Sequence, residues 1–465
     1  MKPRHIRLVC ILLSVSGCAA PDPSPPPTAT ATAAPPAATA SPAPTPLETD
    51  EPLPAIDLAP EDIAGVALEL WHPWDGDQEA LLEGLVAAFN AGNDHNLQVT
   101  AVRRHDLHAD VAAALATGSP PDLAFGFSYH ARSWSRIAAP VDWNLYLMDL
   151  EWGLSAEERL DFYPEFLVAA ANAGLQTGLP FYRTAEVLLY NATWAAELGF
   201  TGPPETPEAL AEQSCAANAS LRTDSDPGND GEGGLMLGNE PIALAAWMAA
   251  FGGGLDPLSE TESYAFDRAE NITAFAYLRG LLDDLCAWLP EGVYPHDEFA
   301  GRSGLLLPST LAGLAPQAAA MQAAGSSDVW TAIPYPAVET GRAPLLYGPD
   351  LVLLPTTPER QLAAWVFARW VLSPENLAGW SDTTGYFPVR RSALAGMAQP
   401  PPQSDAWLSQ GLGFTPPASW VDVQWAVSEM SRMLFSPFTP ADDVAALALE
   451  LDAFAEEIHQ LSLFP

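Results

Sequence analysis

At 465 residues the chain exceeds what one ordinary hydrophobic core holds, so two lobes or domains are expected. Apolar residues make up 48%, which excludes wholesale disorder. The formal charge of −39, from 58 acidic and 19 basic residues, repels phosphate backbones and anionic lipid headgroups and so excludes nucleic acid as a partner.

The first residues read as an export signal: "MKPRHIR" is a positive n-region and "LVCILLSV" an apolar run too short to span a bilayer. "VSGC", Val15 to Cys18, then resembles the lipobox of bacterial lipoproteins, in which cleavage precedes the Cys and its thiol is acylated. An ordinary secretory cleavage site is the alternative. Loss of the signal peptide 1–17 removes Lys2, Arg4 and Arg7 and takes the charge from −39 to −42. Residues 18–60 are rich in Pro, Ala and Thr, which build no core and favour extended polyproline II. At about 3.1 Å per residue such a stretch reaches on the order of 120 Å, a tether between a membrane and a folded body. The membrane is therefore expected to be touched only through a lipid on Cys18, from the outer face of the bacterial cytoplasmic membrane.

From residue 61 short strands alternate with helices. "GVALELW" reads as a strand, "DQEALLEGLVAAFNAGN" as a helix, "LQVTAV" as a strand, "DLHADVAAALATG" as a helix and "PPDLAFGF" as a strand. This β-α-β-α-β order predicts a parallel sheet covered by helices, whose ligands sit beyond the carboxyl ends of the strands. Those ends are "WHPWDGD" and "FGFSYH". Next, "GLPFYRTAEVLLYN" joins polar groups at one end to an apolar β-type run at the other, and Pro180 keeps its start out of helix. A second α/β run follows, with helices predicted at "TPEALAEQSCAANAS", "PIALAAWMAAFGGG" and "NITAFAYLRGLLDDLCAW". "LLYGPDLVLLP" reads as a strand pair, Ser373-Pro374 as an N-cap and first-turn proline, and "ADDVAALALELDAFAEEIHQLSL" as a closing amphipathic helix.

"GLPFYRTAEVLLYNATWAAELGFTGPPETPEAL" and "FARWVLSPENLAGWSDTTGYFPVRRSAL" together resemble the extracellular solute-binding proteins of ATP-driven importers, in the large maltose-binding-like group that takes sugars and related solutes. "ALATGSPPDL" and "FAGRSGLLLPS" match two weaker blocks of the same family. The resemblance implies an α/β, two-lobe periplasmic-binding-protein-like fold of class II, each lobe a sheet flanked by helices. It places lobe one at 61–181 plus 348–387 and lobe two at 185–345 plus 388–465. Hinge strands fall near 180–184, 345–348 and 385–388. Departures from the pattern, such as Pro207 after Thr206 where the family usually has Trp, leave the ligand open but not the fold.

A solute receptor needs aromatic faces to stack on apolar ring faces and planar polar groups to bond hydroxyls. The candidates are Trp71, His72, Trp74, Asp75, Asp77 and Tyr129 in lobe one, and Tyr182, Arg183 and Glu186 at the hinge. Trp247, Ser309 and Tyr335 follow in lobe two, with Tyr347 and Asp350 beside the second crossing. For any one aromatic, core packing is the competing reading, and Arg183 and Glu186 could instead pair with each other. Cys215 and Cys286 are an even pair in an exported chain and are expected to form a disulfide, two buried thiols being the alternative.

His105 and His108, near Asp106 and Asp110, are too loosely spaced to be assigned a metal. Asp224, Asp226, Asp230 and Glu232 have a composition that calcium favours, but they lack EF-hand spacing and read as a solvated loop. No HExxH, GxSxG, P-loop or recognisable Cys-His pair occurs, so no catalytic residue, cofactor or metal is assigned. The leading function is a lipid-anchored, monomeric receptor that hands a mono- or oligosaccharide to the permease of an ABC importer. A carbohydrate-active enzyme and a non-transport envelope lipoprotein are the competing readings.

Overall fold

The structure, a computed structural model, describes residues 56–172, 174–238, 240–254, 264–292, 295–339, 346–400, 420–440 and 443–462. The export signal, Cys18 and nearly all of the tether lie outside the described residues.

Two sheets organise the fold. In the first, β1 (Ala67–His72), β2 (Gln98–Arg103) and β3 (Leu123–Gly126) run parallel, with helix α1 (Gly76–Gly92) after β1 and α2 (Leu107–Ala116) after β2. The β-α-β-α-β reading is thus what forms. Asp106 caps α2 by accepting the Ala109 N–H at 3.2 Å, and Gly118 follows its end with a left-handed φ of 72°. Two further strands complete this sheet: β4 (Leu179–Pro180), and β11 (Asp350–Leu353), which runs antiparallel to both β3 and β4. Strand order is β2-β1-β3-β11-β4.

The second sheet is built on one long strand, β5 (Tyr182–Asn191). Its first half pairs with β10 (Leu346–Tyr347) and β12 (Phe387–Pro388). Its second half pairs with β8 (Leu306–Thr310) on one side and β9 (Trp330–Ile333) on the other. Beyond β8 lie β6 (Leu235–Met236) and β7 (Ala287–Trp288). All ten β5 residues are buried, and the two faces of the strand serve different cores. Ala185, Val187 and Leu189 join a cluster with Phe299, Leu307 and the first-sheet residues Leu70 and Phe125. Leu188 and Tyr190 join Phe275, Leu306 and Met430. Side chains alternate across a strand, which is how one segment feeds both.

Sequence and structure differ at two helices. "NITAFAYLRGLLDDLCAW" was expected to stay helical to its end, but the helix Ala269–Asp283 stops early. Leu285 takes a left-handed φ of 59°, the Cys286 N–H turns back to the Leu281 carbonyl, and Ala287–Trp288 enters the sheet as β7. The amphipathic helix Trp420–Leu434 had no counterpart in the sequence reading; it packs against the helix Pro241–Ala250 and the terminal helix Val444–Ser462. Cys215 and Cys286 are bonded, as expected.

Candidate functional site

The backbone passes between the sheets where the site is built. Only Phe181 separates β4 from β5, and only Gly348 and Pro349 separate β10 from β11. The two crossings lie side by side, tied by the Phe181 N–H to the Pro349 carbonyl at 3.1 Å. Arg183 clamps them. Its Nη2 donates to Asp350 Oδ1 at 2.6 Å, and its Nη1 donates to the carbonyls of Tyr182, Gly348 and Pro349. Gly348 is needed here because a Cβ would run into the Tyr182 carbonyl. Burial raises the Asp350 carboxyl above the ordinary range, and the Arg183 charge opposes that rise.

Beside the crossings opens a cavity of about 670 Å³. Trp74 after β1, Phe125 of β3, Phe127 and His130 from the first turn of helix α3 (Ser128–Trp134), and the head of α2 with His105 and His108 form one wall. Tyr182 and Pro349 close the hinge side, and Gln424 reaches in from the helix Trp420–Leu434. Trp74 packs on Phe125 at 4.5 Å between centroids, and Tyr182 stacks on Tyr386 at 4.0 Å with an interplanar angle of 17°. These faces suit the apolar side of a small ring. His130 Nδ1 accepts the Phe127 N–H at 3.3 Å, which leaves Nε2 to carry the ring proton. Burial, with His108 nearby, lowers its pKa to about 3, so the ring is a neutral donor at any ordinary pH. Among the described residues no three His, Cys, Asp or Glu side chains gather as metal ligands do.

A second polar cluster surrounds Glu186, which is 2% exposed. Its Oε1 accepts the Tyr347 hydroxyl at 2.8 Å. Burial raises its pKa to about 8; the Tyr347 hydrogen bond opposes this, and Glu240, the residue before the helix Pro241–Ala250, adds to it. Tyr335 is buried against Trp247 at 4.8 Å between centroids, and its hydroxyl has no hydrogen-bond partner among the described residues. Burial raises the Tyr335 phenol, and the Glu186 charge raises it further, so hydroxyl and carboxyl are electrostatic neighbours.

The sequence candidates therefore divide. Trp74 and Tyr182 line the cavity, and Glu186, Tyr347, Tyr335 and Trp247 form the second cluster. Trp71 lies under the Arg104 guanidinium at 3.9 Å with its indole N–H on Glu69, and His72 is buried beside it in β1. Asp75 and Asp77 are exposed, and Asp75 pairs with Arg103 at 2.9 Å. Tyr129 is buried in the cluster that holds Leu188 and Tyr190. Ser309 pairs with Val187 in the sheet. Arg183 binds Asp350 and not Glu186: three residues apart on a strand, Arg183 and Glu186 face opposite ways. The Asp224 and Asp226 carboxylates are used within their own loop, accepting the N–H groups of Asp226 and Gly228. His130, Phe127, Tyr386 and Gln424 were missed; "FGFSYH" at a strand end was the available signal for the first two.

Two helix-flanked sheets, strands that pass directly between them and a cavity at the passage define a two-sheet α/β binding protein. The chain belongs to the bacterial extracellular solute-binding protein family, which it matches over residues 84–408. It is similar in fold to the cyclic α-maltosyl-1,6-maltose binding protein from Arthrobacter globiformis, with 18% identity, a TM-score of 0.66, and 85% of this chain and 100% of that chain covered. The GacH receptor of Streptomyces glaucescens, whose structures include complexes with acarbose, matches at 15% identity and a TM-score of 0.66 over 85% of this chain and 99% of that one. UgpB from Mycobacterium tuberculosis, solved with glycerophosphocholine, matches at 17% identity and a TM-score of 0.67 over 85% and 98%. No curated protein sequence matches the chain.

Proposed function

We propose that the chain is a receptor that closes around a polyhydroxylated solute, a mono- or oligosaccharide in type, and presents it to the permease of an ABC importer. The observation that carries this is the cavity at the sheet crossings, walled by Trp74, Phe127 and Tyr182 with neutral His130 among them. Aromatic faces stack on a sugar ring, and an uncharged imidazole donates to hydroxyls without favouring an anion. Family membership supports the receptor class, and the cyclic maltosyl-maltose and acarbose bound by the similar proteins support its solute type.

In this reading the lobes are 61–181 plus 348–387 and 185–345 plus 388–465, joined by hinge strands near 180–184, 345–348 and 385–388. Arg390, which bonds Asp161 at 2.7 Å, and Arg391, which bonds the Phe162 carbonyl, brace the segment after β12. Acylation of Cys18 would hold the monomer at the outer face of the cytoplasmic membrane, and the chain acts as a receptor and not as an enzyme. A melting-temperature screen against neutral oligosaccharides, followed by small-angle scattering with any solute that stabilises, tests the proposal. A rise in melting temperature with a more compact particle is expected. Turnover of labelled oligosaccharides, or a panel in which nothing binds, would overturn it.

A further inference from the structure

The described acids buried as deeply as Glu186 have cationic partners. Asp350 has Arg183 and Asp122 has Arg360. Among the described residues Glu186 has none: it accepts the neutral Tyr347 hydroxyl, and the charge that acts on it is that of another acid, Glu240. Near it stand Tyr335, whose buried hydroxyl bonds to none of the described residues, and Trp247, at a steep angle to Tyr335. An acid with no counter-charge among the described residues, bonded to one tyrosine and beside a second, in a chain of formal charge −39, is the complement of a cation.

We infer that the Glu186–Tyr335–Trp247–Tyr347 cluster receives a cationic nitrogen of the bound solute, which is therefore an amino or quaternary-ammonium derivative of a polyhydroxylated compound. The Glu186 carboxylate supplies the counter-charge, and the π-faces of Trp247, Tyr335 and Tyr347 supply weaker attraction to the same charge. The inference rests on the reading of the chain as a solute receptor and narrows the solute's class.

The groups that face Glu186 fix how the site responds to pH. From β10 comes Tyr347, from the segment after β9 Tyr335, and from before the helix Pro241–Ala250 Glu240; none of the three is cationic. Arg183, on β5 itself, lies on the other face and is held by Asp350. Without a cation the buried carboxyl keeps its proton up to about pH 8. A cation in contact stabilises the carboxylate, so the proton leaves. A neutral ligand that closes the same site leaves the proton in place. The two complexes therefore differ by close to one proton at pH 7, whatever state the free protein occupies.

The test uses N,N,N-trimethylglucosamine, whose charge does not titrate, with glucosamine and glucose as companions. Calorimetry at pH 7 in two buffers of different ionisation enthalpy gives affinity and proton count for each. The trimethylated probe is expected to bind at least tenfold more tightly than glucose and to release close to one more proton. Glu186→Gln, which copies the shape of the protonated acid, is expected to abolish both differences between the charged and neutral probes in a protein that still melts cooperatively. Equal affinity and equal proton counts for the charged and neutral probes would overturn the inference, as would a charged preference that survives in Glu186→Gln. A protein that compacts around neutral oligosaccharides yet shows no charge preference would lose this inference and keep the receptor reading.

Discussion

Arg183→Ala should be among the most damaging single substitutions in the chain. The guanidinium holds Asp350 at 2.6 Å and three main-chain carbonyls at 2.9, 3.1 and 3.1 Å, which ties both sheet crossings together. Its side chain is 4% exposed and that of Asp350 is fully buried. Removal leaves a buried carboxylate without counter-charge, a change that typically costs about 3–5 kcal/mol. For a lobe-sized cooperative unit about 2–4 °C is lost per kcal/mol, so the melting temperature should fall by on the order of 10 °C. Burial already raises the Asp350 carboxyl, and loss of Arg183 raises it further. A folded-state pKa above the unfolded one means stability present at acid pH and lost as pH rises through the folded value. The deficit of Arg183→Ala should therefore be smaller near pH 4.5 than at pH 8. Denaturant unfolding of wild type, both single Leu variants and the double variant Arg183→Leu/Asp350→Leu gives the coupling, and the double should lose less than the two singles together. A single variant within about 0.5 kcal/mol of wild type, or a deficit independent of pH, would refute the clamp.

Glu186 carries a pH dependence of the same sign. Its folded pKa of about 8 lies above the unfolded value, so stability should be fully present below about pH 4.5 and decline as pH rises to about 8, by on the order of 4 kcal/mol. Glu186→Gln should flatten that decline, read by chemical unfolding from pH 5 to 9; an unchanged slope would speak against the buried neutral acid. Gly348→Ala should lower the melting temperature by several degrees, because the new Cβ meets the Tyr182 carbonyl at the crossing; a neutral outcome would mean that the crossing yields easily. Reduction of Cys215–Cys286, or its replacement by two serines, should cost about 2–4 kcal/mol, and thiol titration of the denatured, unreduced protein should find neither cysteine reactive.

The order of elements was legible because hydrophobic periodicity and turn residues report local structure. The β-α-β-α-β start and the "TPEALAEQSCAANAS" helix, capped by Thr206 at the Ala209 N–H, needed nothing from distant residues. The early end of the Ala269–Asp283 helix was not legible. What stops it is Leu285 in a left-handed conformation, which composition does not announce, and the pull of β6 on Ala287–Trp288. The site was half legible for a similar reason. A strand end marks where side chains emerge, which pointed to Trp74 and Tyr182. It does not say which neighbour a side chain finds, so Arg183 and Glu186 read as ligand contacts or as a pair, whereas strand alternation sends them apart to Asp350 and Tyr347. Gln424 enters the cavity from a helix some 240 residues further along the chain than Tyr182, a juxtaposition that no local pattern encodes.

The central claim is mechanical, and a distance measures it. Spin labels on cysteines replacing the exposed Glu83 in α1 and the exposed Glu208 in the helix Pro207–Leu221 sit on elements that flank different sheets. With a solute that raises the melting temperature, the distance distribution should narrow and its centre should shift by several Å. An identical distribution with and without that solute would contradict closure about the crossings at Phe181 and Gly348.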